Sequence, residues 1–525
     1  MDSSIPFTQS NVAEVAVAPI NADATLSAGG AGNRLIFAGL TISSKGKPFE
    51  VLSVNSDNYK ALLGKVYHPS LGKVSEPLRH ISDAVKGGNG LVVRVVPDDA
   101  KYPVLKLATV TKGKTATLAT SAQPFGMSVE LGESEKLAFF IEDGAVSDNR
   151  ALEIKQADAD MYGAGMFEVL VYETDLTGFE TVLEKHIVST NPEALNDMGL
   201  PAYICTVLES QSKTIRAVIA HDLTELPIVA KTKFVGGTEG NIKSISSGQY
   251  DKALAVLKAT VTQFTHILGL GCYEPAVIKS LINIANGRRV SGFFDLDPRL
   301  SYEQAVQAKI DLSIGDERAC FYHMPFSCVD PTYRCRSVWG LSGIIFTAKA
   351  KGVMKTSPTG GWHYTPAGEE RALITRQGLR QLESAGVPDY EKMYKVRINK
   401  LATNKAGYLF VDDSLTSYVR ENYLRFEQVV SVTDAVSRDF IELANALKHN
   451  PDGVTYDGLT RGMTRILESY YTSGALVTPT HPEIDGKEPY KLIVKKTDKD
   501  AWEISFALSI TGSGRRFMAK PILIA

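Results

Sequence analysis

The chain has 525 residues and a formal net charge of −2, from 57 Lys and Arg against 59 Asp and Glu. This length predicts three or four domains of about 150 residues each. Hydrophobic residues make up 44% and charged residues 22%, which excludes a disordered or low-complexity chain. The near balance of charge argues against a dedicated nucleic-acid-binding protein, and it leaves little electrostatic repulsion between copies of the chain.

The sequence has no pattern that predicts secretion or membrane insertion. Residues 1–6 contain no basic stretch followed by an apolar run, so we expect no secretory signal. No window reaches the 18 or more continuous apolar residues of a membrane span. Five cysteines are too few for a disulfide scaffold in a chain of this size, and the odd number leaves one unpaired. We therefore expect synthesis in a reducing cytoplasm.

Residues 1–22 are predicted to form an extended arm rather than a domain. Ala13, Val15 and Val17 fall on one face of an extended segment, and Pro19 ends the run. A single strand cannot satisfy its own backbone N–H and C=O groups. An ordered arm must therefore pair with a sheet, either in its own subunit or in a neighbour.

Residues 23–98 have an α/β pattern. We expect, in chain order, a strand at 34–38, helices at 56–63 and 76–86, and a strand at 90–96. Residues 99–232 differ, because short apolar runs rich in Val, Ile and Thr predominate. This segment is predicted to be β-rich, with strand candidates at 109–120, 139–141, 167–172 and 214–219.

Residues 233–345 return to alternating helices and strands. The patterns predict helices at 250–262, 274–286 and 301–310, and strands at 264–268 and 291–296. The apolar run at 338–348 contains Gly340, Ser342 and Gly343 and is too short to span a membrane. It predicts a buried strand or turn.

Residues 346–510 begin with a loop-rich stretch and become mainly helical. We expect helices at 369–384, 423–447 and 457–473. A strand follows at 502–510, where apolar and polar residues alternate strictly; its apolar members are Trp502, Ile504, Phe506, Leu508 and Ile510. Residues 511–525 start with a Gly-Ser-Gly turn and are predicted to end in a second arm containing a short apolar strand at 522–524.

Known catalytic signatures are missing from the sequence. There is no G-x-S-x-G elbow, no Walker A motif and no complete dinucleotide-binding fingerprint. Asp295 and Asp297 form an acidic pair at a predicted strand end, where α/β enzymes often place ligands. The two carboxylates could hold a metal ion, or they could cap the turn at Pro298.

A second group of residues has the donor types of a zinc site. The group comprises Cys320, His323, Cys328 and Cys335. Its spacing does not contain two compact C-x-x-C pairs, and buried thiols beside a core histidine explain it equally well. Neither group requires the protein to be an enzyme, and no cofactor is expected.

Several segments together resemble the tail sheath proteins of contractile phage tails and related contractile injection systems. The similar segments, in chain order, are the Gly-rich turn and Val-Val-Arg-Val strand at 87–96, the Gly-Gly-Thr-Glu-Gly turn at 236–240, the strand at 287–296, the region at 322–347, and the helix and Gly-Ala-Leu at 457–476. Each motif alone is weak, and their common order makes the resemblance specific. It covers about residues 30–98 and 234–525.

The resemblance implies a fold that agrees with the domains predicted above. It predicts a mixed α+β and α/β multidomain protein in which a discontinuous core domain is built from both ends of the chain. The core would comprise 23–98 and 346–510, the second part facing the tube. An inserted α/β domain would cover 233–345 and a β-rich outer domain 99–232.

The resemblance also implies a function. Such subunits polymerise as stacked hexameric rings around a tail tube and contract to drive the tube through the host envelope. The expected partners are further copies of the chain, the tail tube protein, and baseplate and tail terminator proteins, without nucleic acid or membrane insertion. The expected location is the tail sheath of a virion, assembled in the host cytoplasm.

Strand exchange between subunits would link the assembly. The predicted arm residues are Ala13, Val15, Val17, Phe517, Met518, Ile522, Leu523 and Ile524. The strand at 502–510 is the predicted receiving sheet, because a bare edge there would otherwise promote aggregation. Arg461 and Arg465 lie one helical turn apart and are candidate contacts to the tube, although a solvated helix face is the alternative.

Two other interpretations of the sequence stay open. One is a metal-dependent enzyme that uses Asp295 and Asp297. The other is a different component of a virion, such as a tube or capsid subunit. Stoichiometric metal would favour the enzyme, and closed shells rather than hollow cylinders would favour a capsid subunit.

Overall fold

The computed structural model describes residues 35–107, 116–146, 149–174, 178–357 and 359–515. The predicted arm at 1–22 and residues 516–525 lie outside these ranges, so the structure places none of the eight arm residues. Among the helices that are described, none combines the length and the hydropathy needed to cross a membrane. The structure is a mixed α/β fold with several sheets.

The strands are numbered in chain order. They are β1 (Leu35–Thr41), β2 (Val51–Val54), β3 (Gly88–Arg94), β4 (Lys101–Leu107), β5 (Ala119–Pro124), β6 (Leu137–Ile141), β7 (Arg150–Gln156), β8 (Phe167–Thr174), β9 (Glu180–Val188), β10 (Ile215–Ile219), β11 (Val229–Lys233), β12 (His266–Leu268), β13 (Ser291–Asp295), β14 (Ala319–Tyr322), β15 (Phe326–Val329), β16 (Arg336–Ser337), β17 (Arg380–Gln381), β18 (Ile398–Asn399), β19 (Leu401–Thr403), β20 (Leu409–Val411), β21 (Tyr490–Lys496) and β22 (Trp502–Leu508).

The α-helices are numbered in the same way. They are α1 (Tyr59–Leu63), α2 (Pro77–Ala84), α3 (Ala159–Tyr162), α4 (Ile204–Gln211), α5 (Ser247–Ala259), α6 (Pro275–Arg288), α7 (Tyr302–Leu312), α8 (Ser342–Val353), α9 (Tyr390–Lys395), α10 (Glu427–Leu447), α11 (Asp452–Thr472) and α12 (Pro482–Asp485). Short 3₁₀ helices cover Pro69–Ser75, Glu383–Ala385 and Tyr423–Arg425.

A seven-stranded sheet with the order β18-β14-β13-β12-β1-β3-β2 forms the centre of the molecule. Every neighbouring pair is parallel except β2 and β3. Helices α2 and α8 cover one face, together with the long pair α10 and α11, and helices α5, α6 and α7 cover the other. This arrangement explains the apolar run of β1 and the complete burial of β13, since a parallel sheet is buried on both faces.

The central sheet takes strands from widely separated parts of the chain. Strands β1 to β3 come from residues 23–98, whereas β12 to β14 come from residues 233–345. The segments predicted as the first part of a core domain and as an inserted domain thus share one sheet. Between them, residues 101–233 supply two four-stranded sheets, β10-β6-β4-β5 and β11-β7-β8-β9, which enclose a separate hydrophobic core.

The prediction of a strand or turn at 338–348 is wrong, because residues 342–348 form the start of α8. The small residues that suggested a turn allow close helix packing instead. A Cβ atom on Gly343 would lie 2.2 Å from the carbonyl oxygen of His80 in α2. The Asp295 carboxylate, at the end of β13, accepts hydrogen bonds from the N–H groups of Leu341 and Ser342 and so holds the first turn of α8.

The predicted helix at 369–384 is also wrong. Its backbone groups bond to other segments: the N–H of Ile374 donates to the carbonyl of Leu409, and Arg380–Gln381 forms β17 against β15. Gly378 has a φ of +60°, which does not fit a right-handed helix. Other predicted helices are present with shifted ends, and the first of them is shortened to Tyr59–Leu63.

Helices α10 and α11 form an antiparallel pair of 21 residues each. The two helices approach closely at Gly462, where an added Cβ would lie 2.6 Å from a methyl carbon of Leu443. Val432 and Val436 of α10 and Met463 and Leu467 of α11 pack into the core on one face of the central sheet. The pair thereby joins the sheet to the carboxy-terminal strands.

A buried ion pair connects the central layers to this helix pair. The Lys349 ammonium of α8 lies 3.0 Å from the Glu427 carboxylate at the start of α10, and both side chains are at most 1% exposed. Lys349 also donates to the carbonyls of Trp362 and Tyr364. Burial lowers the pKa of Lys349 and raises that of Glu427, and each charge opposes the shift of the other.

We expect Glu427→Leu to destabilise the protein by about 3–5 kcal/mol, because it leaves the Lys349 charge buried without a counter-ion. The double variant Lys349→Met, Glu427→Leu should recover most of this loss. Urea unfolding followed by the total tryptophan fluorescence, to which Trp362 beside the pair contributes, measures both effects. Equal midpoints for the wild type and Glu427→Leu would contradict this assignment of the pair.

Candidate assembly site

Strands β21 and β22 form a two-stranded antiparallel hairpin at the carboxy-terminal end of the described chain. Its register pairs Leu492 with Phe506 and Val494 with Ile504. All four side chains are half-buried, while the residues between them are exposed. One face of the hairpin therefore packs on the protein, and the other faces solvent.

Helix α11 supports the buried face of the hairpin along its length. Near the start of the helix, Lys496 forms an ion pair with Asp452, and the rings of Trp502 and Tyr456 lie 6.1 Å apart. Near its end, the Tyr490 hydroxyl donates to Glu468. Burial and this hydrogen bond raise the pKa of Tyr490 to about 12. The hairpin is thus fixed at both ends of α11.

The hairpin has two open backbone edges. The N–H of Ser509 donates to Pro489 and the N–H of Thr497 donates to Ala501, so the odd-numbered residues form the hydrogen-bonded pairs. The even-numbered residues therefore direct their N–H and C=O groups away from the partner strand; they are Tyr490, Leu492, Val494 and Lys496 on β21, and Trp502, Ile504, Phe506 and Leu508 on β22.

No third strand pairs with this hairpin within the described ranges. Beyond β22, the chain runs antiparallel to residues 475–477: Val477 donates to Ser509, and Thr511 donates to Ala475. This contact covers the chain after Leu508 and leaves the edge formed by β22 itself open. Backbone groups in this arrangement can accept an added strand from another chain.

The strand predicted at 502–510 is present as Trp502–Leu508, and Ile510 follows it in a bridge to Leu476. The role of this strand as a receiving sheet stays a prediction. Its partner β21 was not predicted. The apolar residues Tyr490, Leu492 and Val494 at every second position, flanked by Lys491 and Lys495, could have identified that strand.

Arg461 and Arg465 lie on the exposed face of α11, opposite the buried residues Met463 and Leu467. The Arg461 side chain is 81% exposed and lies 3.5 Å from the Asp457 carboxylate. Both guanidinium groups can therefore reach an external surface. Whether that surface is a tube stays a prediction.

The two aspartates of the alternative metal site have other partners. Both carboxylate oxygens of Asp295 accept the backbone hydrogen bonds that start α8. Asp297 lies 3.0 Å from the Lys73 ammonium and 3.1 Å from the Arg299 guanidinium. Burial opposes ionisation of Asp297, but the backbone N–H of Arg299 and the Lys73 side chain outweigh it and lower the pKa.

The four residues of the alternative zinc site do not converge. Cys320 and Cys328 are buried thiols on β14 and β15, and Cys335 is half-buried. Burial lowers the pKa of His323 to about 4, and its ring packs against Tyr302. Across the ranges described, no group of three or more His, Cys, Asp or Glu side chains is close enough to hold a metal ion.

Comparisons with known proteins identify the fold. No protein-family model and no curated protein matches the sequence. The solved sheath tail protein from Listeria innocua is 14% identical, with a TM-score of 0.57 over 92% of this chain and 93% of that chain. The helical sheath of the anti-feeding prophage in its contracted state is 11% identical, with a TM-score of 0.50 over 98% of this chain and 99% of that chain. This chain therefore has the fold of sheath tail proteins over most of its length.

Proposed function

We propose that the chain is the structural subunit of a contractile tail sheath. Copies would stack as hexameric rings around a tail tube and contract to drive the tube through the host envelope. The open-edged hairpin of β21 and β22 carries this proposal, because it offers two acceptor edges in a chain with the sheath fold. The proposed role is non-enzymatic, and the described hydrogen bonds of Asp295 and Asp297 agree with a structural use of both.

The arms complete the proposed linkage. Residues 10–18 and 515–525 carry the apolar residues predicted to add as strands, and the hairpin would offer one edge to each of two incoming chains. A strand that adds to an edge gains backbone hydrogen bonds and pockets for alternate side chains. Flexible connections would let neighbouring subunits rotate while staying joined, as ring-by-ring contraction requires.

The proposed partners follow from this arrangement. They are other copies of the chain, the tail tube protein, and the baseplate and tail terminator proteins at the two ends. The assembly would form in the host cytoplasm and belong to the virion tail. The single most informative experiment is negative-stain microscopy of concentrated protein, in which hollow cylinders of wide bore support a sheath and closed shells support a capsid subunit.

Deletion of residues 1–18 should leave a soluble subunit that forms no cylinders, because it removes the strand donated to a neighbour. Gel filtration measures solubility and size, and electron microscopy scores the cylinders. Normal cylinders from the deletion variant would refute the role of this arm.

Val494→Pro should abolish cylinder formation while the hairpin stays folded. The N–H of Val494 points outward, so proline removes a donor to an added strand without breaking a hydrogen bond to β22. Val494→Ala is the matched control, since it loses the same side chain and keeps the N–H. The proposal fails if both variants polymerise equally well.

Reversal of both charges in Arg461→Glu, Arg465→Glu should weaken co-assembly with the purified tube protein and leave folding unchanged, since both side chains are exposed. Co-sedimentation at several salt concentrations measures binding, because screening should weaken the wild-type interaction. Lys213→Glu, Lys243→Glu, which reverses two exposed charges elsewhere, is the control. Unchanged binding by the α11 variant would exclude this face.

A further inference from the structure

A groove of about 980 Å³ lies beside the last described residues of the chain. Its walls come from α9, from β18, from the turn before α10 and from residues 513–515. The residues that matter most for its chemistry are Tyr390, Tyr394, Ile398, Lys400, Phe426 and Arg515. The groove thus combines aromatic and aliphatic surface with charged groups.

The chain itself enters this groove. The Arg515 guanidinium pairs with both carboxylate oxygens of Asp413 and lies 5.4 Å from the centre of the Phe426 ring. The Ser513 hydroxyl accepts a hydrogen bond from Gln428 in the first turn of α10. These contacts fix the position from which residue 516 must continue.

The segment that follows has a matching composition. Its apolar residues are Phe517, Met518, Ile522, Leu523 and Ile524, and its cations are Arg516 and Lys520. Ten residues can extend about 33 Å, which lets the segment follow a groove that begins at Arg515.

The groove contains both apolar surface and carboxylate groups, which suit the apolar residues and the cations of the segment. The Tyr390 side chain is 51% exposed, and Phe426 is half-buried. The carboxylates of Asp412 and Asp413 are paired with Lys400 and Arg515, whereas Glu391 has no ion-pair partner in the ranges that the structure describes. Glu391 is therefore available to pair with a cation of the incoming segment.

We propose that residues 516–525 occupy this groove of their own chain in the unassembled subunit. The groove would hold the carboxy-terminal arm until the subunit assembles. That role of the arm rests on the sheath function proposed above. A covalent connection at Arg515 gives the segment a high effective concentration at its own groove. An apolar arm would thereby be covered until a neighbour supplies a better surface.

Hydrogen exchange measured by mass spectrometry tests the docking. The full chain is kept dilute enough to stay monomeric, and the synthetic peptide of residues 516–525 is the reference. We expect the amides of this segment to exchange about tenfold more slowly in the chain than in the peptide, as about 90% occupancy of the groove requires. Exchange at the rate of the peptide would overturn the proposal.

Variants on both sides of the contact distinguish docking from other protection. Tyr390→Ser, Glu391→Ala changes two exposed groove residues, and Leu523→Ser changes the segment; each should remove the protection. Tyr471→Ala, which alters an exposed tyrosine on α11, should keep it. Protection that survives both test variants, or that rises with protein concentration, would show that the groove of the same chain is not the occupied site.

The outcome is separate from that of the sheath proposal. A protected segment in a chain that never forms cylinders would leave the docking intact and reject the sheath function. An unprotected segment in a chain that forms normal cylinders would do the reverse.

Discussion

Lys349 and Glu427 are buried together, and the constraint that neither charge can be buried alone couples the central sheet to the long helices. The ion pair joins α8, which packs on the central sheet, to the first residue of α10. Helix α11 packs against α10, and the hairpin with the open edges packs against α11. Neither charge is stable at this depth without the other, so the pair and the apolar packing around it hold the start of α10 against α8.

The parts of the fold that the sequence predicts well are those with local causes. Strand β22 is visible because its apolar and polar residues alternate strictly. Helix α7 starts at Ser301, whose side chain forms a capping box with Gln304, and this pattern lies within four residues. Such signals need no knowledge of what packs nearby.

The errors have long-range causes. Gly343 suggests a turn in the sequence, but it is needed because the backbone of α2 passes within van der Waals contact of α8. Asp295 could be a metal ligand by its local pattern, and its actual donors lie 46 and 47 residues away. Local spacing cannot distinguish a ligand from a helix cap when the partner is supplied by a distant segment. The family resemblance, by contrast, depends on the order of motifs along the whole chain.

In the proposed sheath, the two open edges of one hairpin would set the number of links that a subunit can make. If each edge accepts one strand and each terminal arm donates one, every subunit is a node with four connections. Subunits with two connections each can form only a linear chain. Subunits with four connections each can form a continuous two-dimensional lattice around a cylinder. In such a lattice the loss of a single link leaves alternative routes for tension between any two subunits. The fourteen residues of β21 and β22 would thus allow the proposed sheath to stay connected when a single link is lost.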